Sequence, residues 1–330
     1  MPRPKYRKVI KNRWVFDVKP DGRKRARLVA KGFSQVEGLD YDQIFSPVVR
    51  FETVRLILSM AALENWTISG LDVRNAFLYG DLDEEIYMEQ PEGFRVQGQE
   101  HFVLRLKRAL YGLKQAGLAR WRTLRESMIE LGFEGLVSDA GLFIFRNERG
   151  FVIAIIYVGD SLFCGPNAEL VKELKDKFMQ RWECRDLGDA TEFLRMRIKR
   201  EGSKVHIDQC AYLETVLQRC GMADAKSAAT PLPAGYMPEP VDQDTIIDPE
   251  IRSRYQTVIG SLLYLTLGTR PDIAFAVTKM AQFAAKPNKE HLNKALYICR
   301  YLVGTKNYCI TYDGSSGSGL MPSKKSTEVK

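Results

Sequence analysis

Apolar positions recur along this 330-residue chain with two different periods. Spacings of three and four residues at Val54, Ile57, Leu58 and Ala61 predict a helix over 52–64. The same period puts Leu118, Trp121, Leu124, Met128 and Leu131 on one stripe of a helix over 116–131, with Arg120, Arg122 and Arg125 on the opposite face. Leu170, Leu174, Phe178 and Trp182 define a further helix, which Asn167 is placed to cap. Shorter runs read as strands: 12–18 and 26–30 joined by a turn at Pro20-Asp21-Gly22, then Trp66 to Val73. Gly141 to Arg146, Phe151 to Val158 and Ser161 to Cys164 complete the set as strands closed by a hairpin.

Towards the C-terminus the pattern becomes helical at 211–220, 252–267, 271–285 and 288–303. Pro271 suits a first helical turn, Asn288 an N-cap and Gly304 a helix end. Pro231, Pro233, Pro238, Pro240 and Pro249 mark 226–251 as a linker, and the small polar residues after Tyr312 predict a disordered tail. Helices alternating with antiparallel strands predict an α+β layer rather than a doubly wound parallel sheet.

Composition narrows the class. With 45% hydrophobic and 27% charged residues the chain has the balance of a soluble globular protein of two or three units. Its longest apolar run, Phe151 to Val158, is far short of a membrane span, and the basic N-terminus has no apolar stretch behind it. The six cysteines form no close pair and histidines number three, so free thiols of an intracellular protein are expected rather than zinc or disulfides. The net charge of +8 is concentrated at the front, where residues 1–35 hold twelve Lys or Arg against Asp17 and Asp21. Such an arm fits a nucleic-acid partner, a solvated basic hairpin or a nuclear-import signal, so cytoplasm and nucleus both stay open.

Candidate chemistry lies in two blocks. LDVRNAFLYGDLDEEIYMEQPEGF (71–94) places Asp72 at the end of a mostly apolar strand, and FVIAIIYVGDSLF (151–163) places Asp160 at a hairpin tip. Two carboxylates brought together from adjacent strand ends form a site for hard cations such as magnesium. Paired ions ~3.5–4 Å apart can activate a hydroxyl and stabilise a leaving pyrophosphate. Taken singly, each aspartate is ordinarily a turn or cap residue.

Those blocks, with ARLVAKGFSQVEGLDYDQIFSPVV (26–49), LYGLKQA (110–116) and YQTVIGSLLYLTLGTRPDIAFAV (255–277), stand in the order found in copia-type reverse transcriptases. From about Lys11 to Tyr312 the chain resembles that family. The resemblance implies the right-hand fold of fingers, palm and thumb followed by a helical connection region. Its boundaries fall at 1–200 for fingers and palm, 201–225 for a thumb-like segment, 226–251 for the linker, 252–312 for the connection and 313–330 for the tail. It also implies RNA-directed DNA polymerase activity with two Mg2+ ions, an RNA or DNA template-primer and deoxynucleoside triphosphates. In that pattern Asp72 and Asp160 are metal-binding aspartates, Phe77 the aromatic gate under the sugar, and Gln115 a contact to the incoming nucleotide. Arg25, Arg27 and Lys31 are the candidates for gripping the triphosphate, and Phe193 to Ile198 resembles the segment that holds the primer end.

The family's hairpin ends in YVDD, whereas here it is Tyr157-Val158-Gly159-Asp160. Gly159 therefore occupies the position of a metal ligand and offers no side chain. Glycine is expected to suit the turn by tolerating positive φ, so the fold survives and the chemistry is impaired. Gly117 to Trp121 is one residue longer than the family's segment, and Arg195 replaces a usual glycine. By the same resemblance the sequence is expected to begin inside the fingers and to lack ribonuclease H, protease and integrase segments, a pattern that a decayed or excised element or a sequencing or gene-model boundary would each produce. Two other functions fit the same residues. One is a non-catalytic nucleic-acid-binding module using Trp14, Phe33 and the basic arm; the other is a remnant with no selected function. Oligomeric state is left open.

Overall fold

The computed structural model describes residues 1–18, 22–242 and 245–315. The turn at Pro20-Asp21-Gly22 and most of the tail lie outside these, although Gly22 itself is described. The chain divides into two compact units: Met1–Arg50 with Thr67–Asp189, and Phe51–Trp66 with the chain from Ala190. These boundaries differ from the sequence-derived ones, because helix Phe51–Leu63 joins the C-terminal unit and the break falls at Asp189 instead of residue 200.

The first unit is built on a six-stranded sheet, wholly antiparallel, as the α+β pattern predicts. In spatial order its strands are Cys184–Asp189, Thr67–Val73, Asp160–Gly165, Gly150–Tyr157, Leu142–Asn147 and Glu134–Gly135. The two central strands, Asp160–Gly165 and Gly150–Tyr157, are buried along most of their length because helices Ala116–Glu130 and Ala168–Arg181 cover the sheet. Helix 168–181 packs through Leu170, Val171, Leu174 and Phe178, with Trp182 stacked on Phe178 at 5.8 Å. Asn167 caps it by accepting from the Leu170 N–H at 3.0 Å.

Helix 116–130 departs from its predicted face. Its buried stripe is Ala116, Arg120, Leu124 and Met128, while Trp121 is half-buried. The i, i+4 spacing of these four keeps one line along the helix, so an arginine expected in solvent lies inside.

Two smaller sheets belong to the same unit. Asn12–Val18 and Lys24–Ala30 pair as a hairpin, and Tyr87–Glu89 lies between Val9–Ile10 and Val103–Arg105. Two motif glycines meet here backbone to backbone. A Cβ on Gly32 would stand 2.0 Å from the Gly112 carbonyl oxygen, and one on Gly112, at φ +90°, would stand 2.2 Å from that of Ala30. These approaches give a physical reason for glycine in both KGFSQ and LYGLKQA.

In the second unit, strands Glu192–Phe193, Met196–Glu201, Lys204–Asp208 and Ile310–Asp313 form an antiparallel sheet. The residues 193–198, singled out as a primer-holding segment, thus form a strand, a two-residue turn and the start of the next strand. Leu194 and Arg195 in that turn have φ of 51° and 57°, so Arg195 stands where the backbone favours glycine. Helices Cys210–Arg219, Pro249–Gly268, Ala274–Ala281 and Lys289–Gly304 surround a separate core of leucine, isoleucine and valine side chains. Pro249, assigned to the linker, instead opens its helix at N1, and Asp248 caps it by accepting from the Glu250 N–H at 2.8 Å. Residues 271–285 are a 3-10 turn, Pro271–Ile273, followed by the short helix 274–281. No helix among the described residues is long and apolar enough to cross a membrane.

Candidate active site

The end of strand Thr67–Val73 and the start of strand Asp160–Gly165 are neighbours in the sheet, with Asp160 paired directly to Asp72. On the other side of Asp72, Arg185 is its partner on strand Cys184–Asp189. Residues in direct register project from the same face. Asp160, Asp72 and Arg185 therefore make a row across three strands, a carboxylate pair flanked by a guanidinium. The Cys184 thiol beside them is pushed up to about 12, first by burial and then by the negative charges of Asp72 and Glu183.

The hairpin carrying Asp160 is a two-residue turn, since Tyr157 pairs with Asp160. Val158, not Gly159, adopts positive φ, at 48°. The expectation that glycine relieves the turn at position 159 is thereby corrected: the strained residue is a β-branched valine. A positive first and negative second φ match the type II′ turn, whose twist follows that of the strands. The Gly159 carbonyl accepts from the Val73 N–H at 2.7 Å, locking the turn to the end of the Asp72 strand. A Cβ built on Gly159 would lie 3.9 Å from Asp72 Oδ1 and 3.3 Å from the Val73 carbonyl oxygen. A side chain at this position would thus emerge beside the Asp72 carboxylate.

A cleft of about 520 Å³ opens here, lined by Asp72, Phe77, Val158 and Gly159 and by the cations Arg23, Lys24, Arg25, Arg74 and Arg185. Phe77 lies on the 3-10 helix Ala76–Tyr79, entered through Asn75 at φ 49°, and meets Tyr111 edge-on at 5.1 Å. It is half-buried, at once a cleft wall and part of a small core.

Of the other sequence-derived candidates, only Arg25 lines this cleft. Arg27 stands 3.9 Å from Asp17 on its own hairpin, and Lys31, just past the strand, donates its backbone N–H to the Lys11 carbonyl at 2.7 Å. Gln115 is buried, accepting from Gln35 Nε2 and donating to the Asp40 carbonyl, each at 2.9 Å. It borders a different, acidic cleft with Asp42, Asp81 and Asp83. Trp14 donates to the Glu92 carbonyl at 3.0 Å and leans on Phe94 at 5.6 Å, whereas Phe33 is exposed. The cations missed by sequence reasoning are Arg23, Lys24, Arg74 and Arg185. Arg74 was legible as the neighbour of Val73 in the motif; Arg185 required the strand order.

The carboxylate pair does not amount to a two-ion site. Among the described residues no group of three or more histidine, cysteine, aspartate or glutamate side chains could hold a metal ion. Hard divalent cations need six or more oxygens, supplied mainly by carboxylates, carbonyls, waters and substrate phosphates. With Gly159 contributing no side-chain donor, the residues present do not fit a pair of such ions.

A family profile described as reverse transcriptase (RNA-dependent DNA polymerase) matches residues 1–234. The chain belongs to the reverse transcriptase family. It is 41% identical over 327 residues to the retrovirus-related Pol polyprotein from transposon TNT 1-94 of Nicotiana tabacum, covering 94% of this chain and 24% of that protein. It is 38% identical over 314 residues to the Pol polyprotein from transposon RE1 of Arabidopsis thaliana, covering 94% and 21%. A putative transposon Ty5-1 protein of Saccharomyces cerevisiae is 28% identical over 251 residues, or 76% of this chain and 80% of that protein. The chain therefore corresponds to the reverse transcriptase part of copia-type Pol polyproteins and spans about a quarter of the length of the plant relatives. Reverse transcriptases of this family generally work with Mg2+, nucleotides and a nucleic-acid template.

Proposed function

We propose that this chain is the fingers and palm of a copia-type RNA-directed DNA polymerase, followed by a helical connection region, with nucleotidyl transfer impaired at Gly159. The observation that carries this proposal is the pairing of Asp72, which lines a cation-rich cleft, with Asp160 on the adjacent strand. The hairpin 12–30 and its arginines correspond to the fingers, and the six-stranded sheet with its two helices to the palm.

On this proposal, Arg23, Lys24 and Arg25 hold the triphosphate of an incoming nucleotide, as guanidinium and ammonium groups bind phosphate oxygens. Phe77 closes the space under the sugar, so that a ribose 2′-hydroxyl meets the ring. Arg74 and Arg185 steer the nucleic-acid backbone, giving affinity that falls with salt. Asp72 and Asp160 orient the primer terminus. The family's chemistry calls for a divalent-ion pair that this donor set does not complete, and that shortage underlies the proposed impairment. The cost follows from rate theory: each ~1.4 kcal/mol of lost transition-state stabilisation slows the step tenfold.

A second function, nucleic-acid binding without catalysis, is favoured by the five cations in the cleft beside a two-carboxylate centre. Primer extension on poly(rA)/oligo(dT) with magnesium and then manganese, beside Gly159→Asp, separates the two. Little or no extension by the unaltered chain and gain by the variant are expected for an impaired polymerase. Silence from both with salt-sensitive RNA retention would leave binding as the function. Robust extension by the unaltered chain would overturn the impairment.

A further inference from the structure

The 3-10 turn Ala76–Tyr79 carries two aromatic rings that serve different parts of the first unit. Phe77 lines the cation-rich cleft and packs with the small core around Ile10 and Ile86, whereas Tyr79 packs against the core of the six-stranded sheet. The Tyr79 ring lies 4.5 Å from that of Trp182, which is buried and stacked on Phe178. The Tyr79 hydroxyl accepts from the Glu183 N–H at 2.9 Å. At the entry to the turn the Arg74 N–H donates to the Glu183 carbonyl at 2.8 Å, and the Arg74 guanidinium donates to the Glu183 carboxylate at 2.9 Å. Glu183 is thus gripped from both ends, by Arg74 before the turn and by Tyr79 at its close. Between them Asn75 holds φ at 49°, a left-handed conformation that persists where the surroundings enforce it.

We propose that Tyr79 is a positioning residue for Phe77 and, through it, a determinant of selectivity between deoxyribose and ribose. The inference rests on Phe77 being the gate of the proposed nucleotide site. A ring that excludes a single oxygen must be held to within roughly 0.5 Å. Phe77 itself is half-buried and meets Tyr111 edge-on at 5.1 Å, so one flank stays open to the cleft. In a tight 3-10 turn, side chains two positions apart emerge about 120° from one another on one short rigid segment. Anchoring Tyr79 on Trp182 and Glu183 therefore fixes where Phe77 stands. Without that anchor the turn moves and carries the gate with it. A ribose 2′-hydroxyl then meets a ring that yields, while a deoxyribose has no atom there to feel the change.

The test is isothermal titration calorimetry of dATP and of ATP into the full chain holding a template-primer, in magnesium buffer. The primer ends in a dideoxynucleotide opposite a template whose next base is thymine, so no turnover interferes. The unaltered protein is compared with F77A, Y79F and Y79L. Phenylalanine removes only the hydroxyl; leucine keeps apolar bulk and loses the ring stack as well. Y79F is expected to lower the preference for dATP over ATP about threefold, the worth of one hydrogen bond, and Y79L to lower it further. Affinity for dATP should stay within about twofold in both. A preference that falls in F77A but is unmoved in Y79F and Y79L would overturn this inference alone. Equal losses of dATP and ATP affinity would also overturn it, because Tyr79 would then serve packing only. No preference for dATP in the unaltered chain, or none lost in F77A, would remove the gate itself and this inference with it. Near-ultraviolet circular dichroism checks folding, and Y79F, which loses one oxygen, carries the test should Y79L not fold.

Discussion

Replacing Gly159 by alanine turns the geometry of the Tyr157–Asp160 hairpin into a stability measurement. Because the backbone at 159 lies outside the left-handed region, alanine fits it without torsional strain. Such a replacement stabilises by about 0.4–1 kcal/mol by narrowing the unfolded ensemble. The new methyl carbon would meet Asp72 Oδ1 at 3.9 Å and Ala76 Cβ at 4.0 Å, ordinary contacts, and the Val73 carbonyl oxygen at 3.3 Å, a slightly tight one. Allowing a few tenths for that contact, a net gain of about 0.5 kcal/mol is expected. Val158→Gly is the counterpart. Glycine in a strand-like hairpin ordinarily loses roughly 0.5–1 kcal/mol, but here it removes a left-handed conformation worth about 1–2 kcal/mol to a side chain. It too should be neutral or stabilising. Urea unfolding followed by fluorescence, with m-values checked for constancy, gives both differences. A loss of 1 kcal/mol or more in Gly159→Ala would refute the assignment of the strain to Val158.

Other outcomes follow from the same contacts. Lys175, buried, donates to Ser69 Oγ at 2.8 Å and Asp186 Oδ1 at 2.7 Å, tying its helix to two strands of the main sheet. Lys175→Met should cost about 1–2 kcal/mol, because the ion pair is half in water. Burial works to raise the Asp186 carboxyl, yet hydrogen bonds from Lys175 and the Gly188 N–H outweigh it and hold the group below its ordinary 3.8. A depressed carboxyl stabilises above its unfolded value and loses that contribution as pH falls through the folded one. The difference between unaltered and Lys175→Met proteins should therefore shrink below about pH 4 in acid-unfolding curves. Gly112→Ala drives a methyl into the Ala30 carbonyl at positive φ; a loss of at least about 3 kcal/mol, seen as insoluble expression, is expected. Arg74→Ala and Arg185→Ala together should flatten the salt dependence of RNA affinity by nearly two in log–log slope, measurable by filter binding.

The chain's sequence was most legible where local chemistry and packing agree. Helix 168–181 follows from its apolar period and Asn167 cap. Arg120 was misplaced because charge suggested solvent, whereas the helical angle set by Ala116, Leu124 and Met128 decides burial. Strands 196–201 and 204–208 were missed because their exposed faces are lysine, arginine and glutamate, leaving too few apolar positions to show a period of two. Pro249 was taken as a linker residue although a preceding aspartate makes it a helix start. Gln115 could not be placed by its motif, since its amide is used by Gln35 and Asp40, residues far away in sequence. The site's extra cations depend on strand order, which no local pattern encodes.

Helix Phe51–Leu63 is formed early in the chain, yet it packs on strands Lys204–Asp208 and Ile310–Asp313. Gly314 comes so near this helix that a Cβ on it would stand 2.1 Å from the Ala62 carbonyl oxygen, while its own N–H donates to Ser203 at 3.1 Å. During synthesis, therefore, an apolar helix bearing Val54, Ile57, Leu58 and Ala61 waits for its last partner until strand Ile310–Asp313 has left the ribosome. A ribosome that stops short of Ile310 releases a polypeptide whose Asp72–Asp160 sheet is complete but whose second unit lacks its closing strand, with Leu58 and its neighbours open to chaperones and proteases.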